Sequence, residues 1–209
     1  LLKRGVEVLA MPRRSFFVAA AVLATFACGD SGSDPASPTG PSGSGAATLN
    51  VRITDSPYGS AKAVLVTFSD VSAQRSNSGW ERLPFADGST GTWTCDLKKL
   101  QNSVQDLLGS ARLDAGHYTM LRLMVQSAKI YFDNPAVSAT PCARSIPEPA
   151  GAAFPLTIPS GEVKLNGQFT LSEGAATTIL LDFDGESSIR EAGSGNYMMT
   201  PVVRIVSVQ

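Results

Sequence analysis

From Leu49 onward, apolar residues recur at every second position rather than every third or fourth, and that period excludes most folds at once. Leu49, Val51 and Ile53 alternate with Asn50, Arg52 and Thr54, the pattern of a strand with one face in a core and one in water, ending at Asp55-Ser-Pro. Ala63-Val-Leu-Val-Thr-Phe-Ser-Asp-Val71 is denser and β-branched, as a central strand requires. An Asn77-Ser-Gly79 turn precedes Trp80-Glu-Arg-Leu83, and after the Gly-rich turn at Asp87 to Gly91 the pattern resumes at Trp93-Thr-Cys-Asp-Leu97. Tyr118 to Phe132 reads as a long strand with room for a bulge, and three further strands fall at about Glu162–Leu171, Thr177–Phe183 and Tyr197–Val208. No amphipathic helices separate them, which excludes a doubly wound α/β fold and leaves an all-β antiparallel sandwich or barrel. Leu97 to Leu108 stays open between one short helix and two short strands. Its apolar stripe at Leu97, Leu100, Val104, Leu107 and Leu108 is helical in spacing but interrupted by Asn102-Ser103.

One local motif favours a sandwich of the immunoglobulin- or transthyretin-like kind over a barrel. Asp114-Ala-Gly-His-Tyr118 has the spacing of a tyrosine corner, in which a Tyr at a strand entrance hydrogen-bonds back across the corner between sheets. About 150 folded residues suffice for a full core, so 209 residues fit one domain, placed at 47–209, plus an unstructured remainder.

That remainder lies at the N-terminus. Met11-Pro-Arg-Arg-Ser is followed by the apolar run Phe16 to Ala27 and then Cys28-Gly-Asp-Ser, so 11–27 reads as a signal peptide. The run is about a dozen residues, roughly 18 Å as a helix, short of the ~30 Å hydrocarbon core. Leu23-Ala-Thr-Phe-Ala-Cys28 resembles a bacterial lipobox, whose cysteine is acylated. Thr25 and bulky Phe26 depart from the usual residues there. Residues 1–10 precede a complete signal and read as an upstream misannotated start. Residues 28–46 are almost wholly Gly, Ser, Pro, Ala, Thr and two Asp after the cysteine, too polar to offset their ordering entropy, and form a tether. The expectation is an exported protein, anchored through lipid on Cys28 to a bacterial membrane, the outer membrane by preference.

Charge and cysteine use follow from that address. The chain from Cys28 onward has 13 basic and 17 acidic residues, giving no attraction to anionic headgroups and no basic face for nucleic acid. With Cys28 acylated, Cys95 and Cys142 are the remaining pair in an oxidising compartment. A disulfide between them would contribute ~3–4 kcal/mol in the chain-entropy model; the alternative is two independent buried thiols. Four prolines within Pro135 to Gly151 make the segment around Cys142 a surface loop.

Chemistry is harder to place. His117 is the single histidine, there is no Gly-x-Ser-x-Gly, and a nucleophile–base pair is not evident. Asp182 and Asp184 share one face of a strand, with Ile179, Leu181 and Phe183 on the other, and Glu186 follows in the turn. Such oxygens could hold Ca²⁺, though without the spacing of an EF-type loop; the plainer reading is acids that face solvent or cap turn amides. Trp80 and Trp93, with Tyr58, are candidates for an aromatic platform under a sugar, against the alternative that they close the core.

The ordered set Asn50-Val-Arg-Ile-Thr-Asp-Ser-Pro57, Trp80-Glu-Arg-Leu83, Asp96-Leu-Lys-Lys-Leu100, Leu107-Leu-Gly109, Leu113-Asp-Ala-Gly-His-Tyr-Thr-Met-Leu-Arg-Leu123, Pro159-Ser-Gly161, Leu181-Asp-Phe-Asp184 and Pro201-Val-Val-Arg-Ile205 resembles family 4382 of the domains of unknown function, a bacterial and archaeal family of exported domains. The resemblance implies a lipid-anchored β-sandwich-like domain and brings no catalytic residue. The Cys-bearing loop at 135–151 departs from it. The functional expectation is a non-catalytic binding or structural module with an unspecified carbohydrate or protein ligand. A carboxylate- or metal-dependent polysaccharide hydrolase and a Ca²⁺-stabilised adhesion module are the alternatives.

Overall fold

The computed structural model describes residues 45–56 and 58–209; the expected start, signal peptide, Cys28 and most of the tether lie outside them. Period two becomes strand where it was read, except that the single strand expected over Tyr197–Val208 is broken at 200–202 into two strands that pair in different sheets. β1 (Ala46–Ser56), β2 (Ala63–Arg75), β3 (Trp80–Arg82), β4 (Trp93–Asp96), β5 (Asp106–Asp114), β6 (Gly116–Tyr131), β7 (Cys142–Ala143), β8 (Phe154–Thr157), β9 (Glu162–Leu171), β10 (Ala176–Asp184), β11 (Ile189–Gly193), β12 (Asn196–Met199) and β13 (Val203–Val208) are joined by one 3₁₀ turn at Leu97–Lys99 and one short helix, α1 (Gly185–Ser188).

These strands form two sheets. One has four strands in the order β13-β10-β1-β5; the other has nine, built on the path β11-β12-β8-β6-β2-β4-β7, with β3 on β2 and β9 on β6. The all-β sandwich therefore stands, and most ladders are antiparallel as expected. Two are parallel: β8 with β12, and β1 with β10, which runs in register from Thr48↔Ala176 to Ser56↔Asp184. That long parallel pair aligns the C-terminal ends of β1 and β10 at one end of the sandwich.

Alternation sets the core. Leu49, Val51 and Ile53 of β1 and Ile179, Leu181 and Phe183 of β10 are fully buried. They face Val64, Val66 and Phe68 of β2 and Leu121, Leu123 and Val125 of β6 in one cluster. Phe68 meets Phe183 edge to face at 6.3 Å between ring centres, joining the sheets. The longest strands are bulged: the β2–β6 register shifts around Phe68 and Asp70 and again at Gln74, so the inward set moves from Val64, Val66 and Phe68 to Val71 and Ala73. Tyr118 forms the expected corner, its hydroxyl donating to the Asp114 carbonyl at 2.9 Å.

β2 is buried on both faces. Ala63 and Leu65 point away from the main core into a satellite cluster with Tyr131, Ala136 and Ile146, covered by the proline-rich loop. Cys95 and Cys142, directly paired on β4 and β7, are joined in a disulfide with Cα atoms 4.0 Å apart. The Leu97–Leu108 segment is neither of the two alternatives. Only Leu97–Lys99 is helical, and 3₁₀; a turn follows, and β5 begins at Asp106. Val104 of the proposed stripe is 43% exposed.

Candidate functional site

Continuing the inward alternation of β1 past Ile53 places Asp55 on the core face, and its residue exposure is only 6%. A carboxyl there must find partners or lose its charge. Its Oδ1 accepts the Gly185 N–H at 3.0 Å, tying the end of β1 to the first residue of α1, while Oδ2 has no partner among the described residues. Gly185 has to be small at this point, since a Cβ would lie 3.1 Å from Asp55 Oδ1 and 3.3 Å from the Tyr58 nitrogen. Burial pushes the Asp55 carboxyl up to about 8, against the lowering pull of the Gly185 N–H; the carboxylates of Asp182 and Asp184 add to the rise and Lys98 opposes it. At neutral pH this environment favours the un-ionised form of Asp55.

Asp96, on β4, repeats the arrangement. It is 1% exposed, and its Oδ1 accepts the N–H groups of Val64 at 3.1 Å and Lys98 at 3.2 Å, capping the 3₁₀ turn, while Oδ2 lacks a partner among the described residues. Burial raises its carboxyl as well. Sequence reading passed over both acids because Asp beside Ser-Pro or Leu-Lys-Lys reads as turn chemistry. For Asp55 a signal was present, in that it is the fifth member of the inward set begun at Ala47.

The acids singled out from sequence lie at the same end. Asp182 does sit on the outer face of β10, opposite Arg204 of β13, whose guanidinium pairs with it. Asp184 caps α1, accepting from the Ser187 N–H at 2.8 Å and hydroxyl at 2.9 Å, and Glu186 accepts the Gly59 N–H at 2.8 Å. Each acid thus has an internal partner, and among the described residues no three His, Cys, Asp or Glu side chains gather as a metal would need. The Ca²⁺ ligand set of Asp182, Asp184 and Glu186 is not assembled.

The aromatic platform is a correction. Trp93 lies opposite Phe68 on the core face, is 7% exposed and stacks on Phe85 at 6.1 Å between ring centres. Trp80 lies opposite Gln74, on the other face, with the Arg122 guanidinium 4.5 Å over its ring. One register difference sends the two indoles to opposite faces of one sheet, and Tyr58 packs against the core. His117 is exposed at the start of β6. It is near the end of the sandwich where β1 begins, since Ala46 pairs with Asp114. Asp55 is at the far end of that strand, roughly 30 Å away at ~3.3 Å per residue.

Beside Asp182 the outer face of the four-stranded sheet is hollowed into a cleft of about 400 Å³, edged by the loop 102–105. A smaller trough of about 260 Å³ lies on the outer face of the nine-stranded sheet, where Thr67, Thr94 and Ser127 form a row in register beneath the proline-rich loop. Three segments that carry the family resemblance, around Asp55, Asp182 and Arg204, line the first of these. The family described as Domain of unknown function (DUF4382) matches residues 46–201. No curated protein and no solved structure matches the chain.

Proposed function

Because the chain belongs to the DUF4382 family, whose description assigns no activity, we propose from its own residues that it is a lipid-anchored cell-envelope protein. Its β-sandwich is then a non-catalytic binding module. The observation that carries the reading is the Cys95–Cys142 disulfide in a domain whose sequence is preceded by a signal, a lipobox-like cysteine and a polar tether. Such a bond persists in an oxidising compartment, which agrees with export. Cys28 is the acylated residue in this reading, and the membrane contact is the lipid, because a chain with 13 basic and 17 acidic residues beyond residue 27 has no electrostatic pull toward anionic headgroups.

A binding role is favoured over catalysis by the internal use of each polar group. Asp182 is paired with Arg204, Asp184 caps α1, Asp55 holds Gly185, and His117 stands at the other end of the sandwich. A general base needs a free, reachable pair of electrons near a nucleophile; Asp182 and Asp184 are committed to internal partners, and Asp55, whose Oδ2 is unpartnered, is only 6% exposed. Metabolic labelling with radioactive palmitate tests the anchor. Label in the wild type that disappears in Cys28→Ala supports it, and equal label in both overturns it.

A further inference from the structure

We propose that the cleft beside Asp182 and Arg204 binds an uncharged, polyhydroxylated ligand, a neutral saccharide of one or two sugar units; this rests on the reading of the domain as a binding module and names its ligand class. At about 400 Å³ the cleft falls within the ~300–1,000 Å³ range of small-molecule sites. Its floor is the outer face of β1 and β10, one wall is β13, and the other is the loop that follows the 3₁₀ turn.

The charge in the cleft is already balanced. Asp182 is only 5% exposed and pairs with Arg204, which is itself largely exposed. An anion would find only the N–H groups that Arg204 does not give to Asp182, on a cation already neutralised by that buried carboxylate, with Asp184 close behind it. A cation would have to displace Arg204 from the same carboxylate. A neutral ligand meets neither obstacle, and its hydroxyls can donate to the remaining carboxylate lone pairs and accept from the remaining guanidinium N–H groups.

The rest of the lining suits hydroxyl groups. Asn102, Ser103 and Gln105 are exposed, line the cleft and have no hydrogen bond to another described residue. Carboxamides and hydroxyls both donate and accept, as sugar hydroxyls do. Val206, 53% exposed, and Leu180 add an apolar strip for a sugar's C–H face. The loop is held ready: the Thr54 hydroxyl reaches the carbonyls of Leu100 at 3.0 Å and Val104 at 2.8 Å. Asn102 and Ser103 are held at φ 57° and 66°, an unfavourable conformation for two successive non-glycine residues, of the kind that collects at ligand clamps. A loop backbone already held in place leaves less to order on binding.

The test is saturation-transfer NMR on the full chain carrying Cys28→Ala, with cellobiose and N,N′-diacetylchitobiose as neutral probes and glucose 6-phosphate as the charged control. Binding of a neutral disaccharide is expected. It should weaken at least tenfold in Val206→Trp, which fills the cleft from an exposed position, and severalfold in Gln105→Ala. Ser127→Trp, filling the trough on the other sheet, should leave it unchanged. The proposal is overturned if neither disaccharide binds, if the phosphate binds more tightly, or if Ser127→Trp abolishes binding while Val206→Trp retains it. Absence of sugar binding with palmitate still on Cys28 removes the ligand class and leaves the anchored module. Sugar binding with equal palmitate labelling in Cys28→Ala does the reverse.

Discussion

The outer face of β2 and the end of the sandwich where β1 and β10 finish are closed by opposite means. Over the outer face of β2 the loop between β6 and β8 lies on Ala63, Leu65 and Tyr131, contributing Ala136 and Ile146 to an apolar cluster, and is pinned by the disulfide and by the Cys142 N–H to Asp106 at 3.0 Å. At the end of the sandwich where β1 and β10 finish, the chain is tied by carboxyl groups instead. Asp55 and Asp96 each have one oxygen on backbone N–H groups and one with no partner among the described residues. Apolar burial with a covalent link adds stability. A buried acid with an orphan oxygen subtracts it unless the backbone donors it satisfies would otherwise be stranded. The loop side is thus built for stability, while the acid end keeps a polar interior directly behind the cleft.

Breaking the loop side should give the largest loss. Cys95→Ala combined with Cys142→Ala is expected to lower the unfolding free energy by about 3–4 kcal/mol, read by urea denaturation, with the satellite cluster losing amide-exchange protection first. Gly161→Ala comes next. A Cβ there would sit 2.1 Å from the Val125 carbonyl, within the link where the Val125 N–H reaches the Gly161 carbonyl at 2.8 Å. Forcing the backbones apart should cost about 1–3 kcal/mol, and a thermal midpoint equal to wild type would show the contact to be slack. Tyr118→Phe removes the corner hydrogen bond and should cost about 1 kcal/mol. The smallest effect belongs to Arg144→Ala. Its exposed pairing with Asp87 should shift the thermal midpoint little and fade in salt.

Sequence reading went furthest where both strand faces have clear roles. β1, β9 and β10 were legible because their inward residues alternate, β6 because alternation resumes on either side of its bulges, and β2 because both faces are covered. β5 was not: Asp106 to Asp114 buries Leu108, Gly109 and Leu113 with no steady period, and it becomes a strand through its pairing with β1. Four-residue β8, with Pro155, and the mostly exposed β11 depend on neighbours in the same way. The parallel pairing of β1 with β10 is a property of strand order, which local period does not encode. Of the candidate site, the acids of β10 and α1 were placed at the right end, but their partners were hidden because Arg204 and Gly59 are distant in sequence. The indoles of Trp80 and Trp93 could not be assigned faces without the register. Asp55 was readable by parity alone, and turn chemistry at Asp-Ser-Pro masked it.

The pH dependence of unfolding in wild type and Asp55→Asn tests the contrast between the two regions most directly. The folded carboxyl sits at about 8, against ~3.9 in an unfolded chain. Below pH 4 both states hold the proton and this group has no effect. Between about pH 4 and 8 only the folded state holds it, so stability falls as pH rises, by about 1.4 kcal/mol per unit, and above 8 the loss is complete. Asn at this position keeps an oxygen for the Gly185 N–H and does not titrate. Wild type should therefore lose stability relative to Asp55→Asn from pH 5 to 8, with the variant the more stable at pH 8. Parallel curves, with Asp55→Asn less stable throughout, would mean that Asp55 is an ordinary stabilising cap and would contradict the account.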